Sequence, residues 1–157
     1  MSFSQNGNFD GMEGLAGRIR LGMEEAGHMV GQQLVRQARE GILNGAKSGR
    51  VYDTLFFTLG TGPTRKVISY GSRPAHQASA PGEYSANDSG NLVNSIDYTM
   101  QGDTISFHST SPHAGFQEEG TDRMGARPNL LKAIEDSDGI IRNILEQIIF
   151  RAMAGAG

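Results

Sequence analysis

The chain has 157 residues, a formal net charge of −3 and a pI near 5.8. That size suits one compact domain, and that charge offers no basic field for gripping duplex nucleic acid. With no cysteine, a disulfide framework and a thiolate zinc site are both excluded.

Apolar residues make up 37% of the chain and glycine contributes 22 positions, so the core is lean. A subunit of this kind is expected to complete its burial against neighbours. No stretch approaches the roughly 18 to 20 apolar residues that cross a bilayer, so no membrane contact is expected. Residues 1–12 read as a flexible, polar, glycine-rich arm without the basic and apolar parts of a secretory signal. Residues 13–157 then read as a single α+β domain.

From residue 13 to about 47, Leu15, Ile19, Met23, Ala26, Val30, Leu34, Ala38 and Ile42 recur at spacings of three and four. That is one face of a long amphipathic helix. Gly14, Gly17, Gly22, Gly27, Gly31 and Gly41 interrupt it, each costing about 1 kcal/mol relative to alanine. Such a helix relies on packing, and its glycines invite close approach by another backbone or side chain, of the same subunit or of a neighbour. Gly45 or Gly49 is the expected stop.

Residues 51–70 alternate apolar and polar side chains on both sides of GTGPTR, which predicts a β-hairpin. Residues 71–90 are almost all small, polar or turn-forming, a long loop of a length that is usually functional or ordered by contacts. Ser89 is the expected N-cap of a short helical turn carrying Leu92 and Val93. Residues 95–109 form the clearest hairpin, with Ile96, Tyr98, Met100, Ile105 and Phe107 on one face and Gln101-Gly102-Asp103 at the turn. Pro112 opens a short helical stretch in which Ala114 and Phe116 are expected to reach the core, and Gly120 ends it. A last helix is predicted from Pro128 to Ala154, with Pro128 at its first position and a bend at Asp138-Gly139.

No pattern of catalytic residues emerges. His108, His113, Glu118 and Glu119 lie close in sequence, but they match no metal-ligand spacing. There is no nucleophile elbow, and His76 near Ser79 sits in a proline-punctuated loop without rigid support. Glu24-Glu25 and Glu118-Glu119 diverge by about 100° on a helix and do not converge on one substrate. Arginines at 18, 20, 36 and 39 alternate with glutamates, as on a solvated face. No catalytic residue, metal ligand or cofactor is therefore assigned.

Three blocks, taken in order, carry a resemblance. They are His76-Gln-Ala-Ser-Ala-Pro-Gly-Glu83 with Asp88-Ser-Gly-Asn-Leu-Val-Asn-Ser-Ile96, then Ala114-Gly-Phe-Gln-Glu-Glu-Gly-Thr121, then Ala126-Arg-Pro-Asn-Leu-Leu131. Together they resemble the tail-completion (neck) protein family of tailed bacteriophages, related to minor tail protein Z. That family's pattern runs APGE-x-P-A, tG-x-L-x-x-S-I, YA-x-x-x-E-x-GT and ARPF-L. Here Tyr84-Ser85 stands where a proline is usual, and His113, Glu119 and Asn129 stand where the family has aromatic residues.

The resemblance implies an α+β fold, a small and mostly antiparallel sheet packed by a long N-terminal helix and a C-terminal helix. It implies a structural virion protein, assembled in the host cytoplasm, that forms a homo-oligomeric, hexameric ring around the DNA channel. Its partners would be a head-closure or adaptor protein on one side and a tail terminator or tail tube protein on the other, with only non-specific proximity to phage DNA. Pro81, Gly82, Glu83, Phe116, Glu118, Glu119, Arg123 and Arg127 become the candidate interface. A tail terminator or head-closure ring is the alternative within this class. From a different class, a small metal-dependent hydrolase using His113 and Glu118 is the competing expectation.

Overall fold

The computed structural model describes residues 6–52, 56–59, 62–64, 66–69, 76–87 and 90–154. Its first element, helix α1, spans Asn6–Asn44 and is 39 residues long. Its apolar stripe is buried from Ala26 through Val30, Leu34 and Ala38 to Ile42. Helix α4, Asn129–Ala154, lies along it. Gly22 meets Ile148 and Ala152 at one end, and Ala38 and Ile42 meet Ala133 and Leu130 at the other, so the two helices run antiparallel.

Among the described residues, three two-stranded antiparallel ladders complete the α+β fold, in place of the single small sheet expected. Strands β1 (Val51–Tyr52) and β4 (His76–Gln77) pair, β2 (Phe56–Leu59) pairs with β3 (Lys66–Ser69), and β5 (Ile96–Gln101) pairs with β6 (Thr104–Ser109). Two of the three join strands that follow each other in sequence, where loop closure costs least. The β5–β6 turn is Gly102-Asp103, with Gly102 at φ 59°, the left-handed position that a two-residue hairpin turn puts on glycine. One face of this hairpin packs on α1. The core centres on Ala38, Ile42, Ala133, Ile96, on Val93 of the short helix α2 (Asn91–Ser95), and on Tyr84 from the loop.

The helical glycines are sockets for side chains of the same chain. The Met100 thioether, the Tyr98 ring and the Tyr84 ring seat on Gly27, Gly31 and Gly41, and a Cβ at Gly41 would stand 2.5 Å from the Tyr84 ring. The open choice between own subunit and neighbour is thus decided for the own subunit at these three positions. The hairpin and the loop can sit on α1 only because those side chains meet bare backbone.

Several boundaries differ from expectation. Residues 6–12, assigned to a flexible arm, are helical: once a helix is nucleated by packing, each further residue adds a backbone bond at little cost. Residues 1–5 lie outside the described residues. The loop 71–90 is not structureless, since His76–Gln77 pair with β1 and residues 78–87 are bonded to two other segments. Gly90, at φ 77°, takes the N-cap position of α2; Ser89 lies outside the described residues.

Helix α3 (Ala114–Glu119) leaves Phe116 59% exposed, because its inward position falls one residue later, at Gln117. Gly120 ends α3, as expected, at φ 79°, ψ −173°, a region open essentially to glycine alone. Helix α4 runs unbroken through Asp138-Gly139: Ala133, Ser137 and Ile148 are buried on either side, and Arg142 pairs with Asp138 at 2.9 Å. Pro128 precedes the first helical residue, its carbonyl accepting from Lys132 N–H at 3.1 Å.

Gly41 and Gly139 give opposite expectations. A Cβ at Gly139 meets open space, so Gly139→Ala should stabilise the fold by up to about 1 kcal/mol. Gly41→Ala pushes against a buried, hydrogen-bonded Tyr84 and should destabilise by about 1–3 kcal/mol. Urea unfolding of the two single variants measures both signs.

Candidate functional site

The stretch after α3 turns twice before α4 begins, and that turn is where three distant segments meet. Met124 and Thr121 close it with reciprocal backbone bonds, and Arg127 N–H donates to Gln117 O at 2.6 Å. Gly82 N–H then donates to Ala126 O at 2.9 Å, bringing the loop alongside. Pro81 closes over Gly125 so tightly that a Cβ there would lie 2.7 Å from Pro81 Cγ. The segment after α1 joins from the other side, with Gly49 N–H donating to Ala78 O and Ala78 N–H to Arg50 O.

Side chains lock this junction. Asn129 is buried, accepts from Ser85 N–H through Oδ1 at 2.8 Å, and donates through Nδ2 to Ser85 Oγ and to Arg127 O, each at 3.0 Å. Arg127 donates from Nε and Nη2 to the single carbonyl of Ser79, at 3.1 and 2.8 Å. Tyr84 is buried and its hydroxyl donates to Asp136 Oδ2 at 2.7 Å; burial, then that carboxylate, push the phenol well above its ordinary range. Lys47 donates to the carbonyls of Gly41 and Tyr84, and its partial burial pulls the ammonium down against the nearby Glu83 charge.

Glu83 accepts from Ser48 Oγ, from Ser48 N–H at 3.0 Å and from Ala80 N–H at 2.8 Å. Those donors, the Ser48 hydroxyl first, hold its carboxyl down at about 2. Glu118 has a different task. Its Oε1 accepts from Leu130 N–H at 2.6 Å, in the first turn of α4, so α3 supplies the capping oxygen that Pro128 lacks.

The eight candidate interface residues therefore divide. Pro81, Gly82, Glu83 and Arg127 converge on one junction within the subunit, and Glu118 caps a helix next to it. Phe116, Glu119 and Arg123 stay on the surface, apart from that network. Sequence reading missed Asn129, Ser85, Ser48 and Lys47. Ser85 brings the N–H and Asn129 the acceptor, a bond that neither a proline at 85 nor a phenylalanine at 129 could make.

As a chemical site this region is closed. Its polar groups are paired with each other, save Gln117 Oε1, which is buried without a partner among the described residues, and Ser79 Oγ accepts from Ala86 N–H, away from His76, whose ring stacks on Tyr52 at 5.4 Å. Among the described residues, no three of His, Asp and Glu stand close enough together to hold a metal ion. A depression of about 350 Å³ between α1 and β5 is lined by Val35, Arg36, Arg39, Leu43, Asp97 and Tyr98. It brings no nucleophile to a base, and Arg39 and Asp97 are engaged with backbone at its wall. Comparison with protein-family models, with curated proteins and with solved structures finds no match.

Two outcomes test the junction. Asn129→Ala leaves the buried Ser85 N–H without an acceptor and should cost about 1–3 kcal/mol in urea unfolding. Glu83 titrates near 2 when folded against an ordinary 4.5, so its contribution is complete above pH 4.5 and is lost as pH falls toward 2. The stability difference between the parent and Glu83→Gln should accordingly shrink across that window; a constant difference would show that the Ser48 and Ala80 bonds do not hold the carboxylate.

Proposed function

We propose that this chain is a structural virion protein of a tailed phage, a neck or tail-completion subunit that forms a ring around the DNA channel. It joins a head-closure or adaptor protein to a tail terminator or tail tube protein, and it carries out no reaction. The order of the three sequence blocks between His76 and Leu131, with a long helix before them and another helix after, supports the family. The observation that carries the assembly role is the apolar end of the helix pair.

Where α4 finishes against Gly22 of α1, Leu21 is 69% exposed, Phe150 75% and Met153 60%, with Ile19, Met23 and Ile149 also exposed. Helix α1 continues beyond this point by more than three turns. On a chain with so lean a core, large apolar side chains exposed on both helices at this end are groups that another protein can cover. The polar junction at the opposite end of the helices gives the subunit one defined shape to repeat, and rings of identical subunits need that rigidity.

Light scattering over a range of concentrations, with negative-stain images of the protein alone and with head-closure or terminator partners, tests this reading. Annular particles are expected. Phe150→Asp and Leu21→Asp should weaken assembly while leaving the melting temperature within a few degrees, since both side chains are largely exposed. A protein that stays monomeric at every concentration and with every partner would overturn the proposal.

A further inference from the structure

Between Val51 and Gln77, a span called the arm below, the described strands pair two by two. The β1–β4 ladder closes the base of the arm, with Tyr52 opposite His76, and β2–β3 pairs beyond that base. Among the described residues, neither β2 nor β3 has a third strand, and no other element packs on them to an extent comparable with their own pairing. An isolated two-stranded hairpin is marginally stable in water at best. The sequence of this one contains Phe56, Phe57, Leu59, Val67 and Ile68. Such a hairpin gains by joining a larger sheet.

The matching deficit lies on hairpin β5–β6. Its ladder alternates from the Gln101–Thr104 pair that closes the turn, so the backbone groups of Ile96, Tyr98 and Met100 point outward on the β5 side. Those of Ile105, Phe107 and Ser109 point outward on the β6 side. The chain itself occupies the β5 edge: Arg39 Nη2 donates to Ile96 O at 2.9 Å, and Tyr98 N–H donates to Asp97 Oδ1 at 2.8 Å. On the β6 edge, among the described residues, the outward groups of Ile105 and Phe107 take no partner. Strand β6 reads TISFHS, with no lysine, carboxylate or proline, none of the residues that blunt an edge strand.

We propose that the arm of one copy adds to the β6 edge of a second copy, main chain to main chain, giving a four-stranded sheet across the subunit boundary. Strand β2 makes the contact, because it carries no charge while β3 opens on Lys66, a residue that discourages edge pairing. Backbone bonds supply the affinity, and the alternating side chains on the two strands set the register. This deepens the ring reading and rests on it for the presence of a second copy. It differs from the apolar helix end in residues and in chemistry.

Two experiments on the whole chain test it. Because Tyr52 and His76 are ladder partners, residues 53–75 can be replaced by Asn-Gly as a two-residue turn. The shortened protein should melt like the parent and associate at least about tenfold more weakly, a change of about 1.4 kcal/mol. The chain has no cysteine, so Thr58→Cys and Ser106→Cys each introduce a unique thiol. Mixing the two variants with a short bismaleimide should give cross-linked heterodimer that exceeds the homodimer from either variant alone. Rings that persist without the arm, or rings without heterodimer, would overturn the strand addition and leave the ring reading standing. A parent protein that never associates would overturn both.

Discussion

The fold depends on one buried amide. Asn129 satisfies Ser85 on both its N–H and its hydroxyl and ties both to Arg127 O, so the loop, the turn after α3 and the start of α4 share a single side chain. A buried polar group of this kind stabilises only when all its partners are present, and it then admits one arrangement of the segments around it. Arg127 on Ser79 O and Glu83 on Ser48 extend the same logic to the segment after α1. The result is a polar brace at one end of an antiparallel helix pair, beside a core of small and branched side chains.

That brace explains a feature of the composition. A chain with 22 glycines and few apolar residues cannot fix its loops by burial alone. Here the loop 78–87 contributes one large apolar group, Tyr84, and is otherwise held by hydrogen bonds. Its rigidity does not require a partner. The surfaces we propose for partners are elsewhere, at the apolar end of the helices and along β6.

The α+β class, both long helices and the hairpins were legible because they rest on local periodicity. The threes and fours of α1 and the alternation from Ile96 to Phe107 each specify an element without reference to anything distant. The helix stop near Gly45 followed from glycine chemistry in the same way. The site was less legible. Pro81, Gly82, Glu83 and Arg127 stood out as unusual residues, but nothing in their spacing said that they bond to one another. Asn129 and Ser85 are 44 positions apart, and a hydrogen bond across that separation leaves no periodic trace. Phe116 was misjudged because a six-residue helix has too few turns for its inward face to be read from pattern. The bend expected at Asp138-Gly139 failed for the opposite reason: packing on α1 outweighs one glycine.

The row of glycine seats on α1 has a mechanical consequence. Gly27, Gly31 and Gly41 receive Met100, Tyr98 and Tyr84 at fixed heights along one helix, like keys cut for a single lock. Sliding the hairpin or the loop along α1 by even one residue, about 1.5 Å and 100° of rotation, would drive each of these side chains into another side chain in place of a gap. The long helix therefore cannot act as a telescoping element. The hairpin and the loop keep their height on it or leave it altogether, since no intermediate register offers the same gaps.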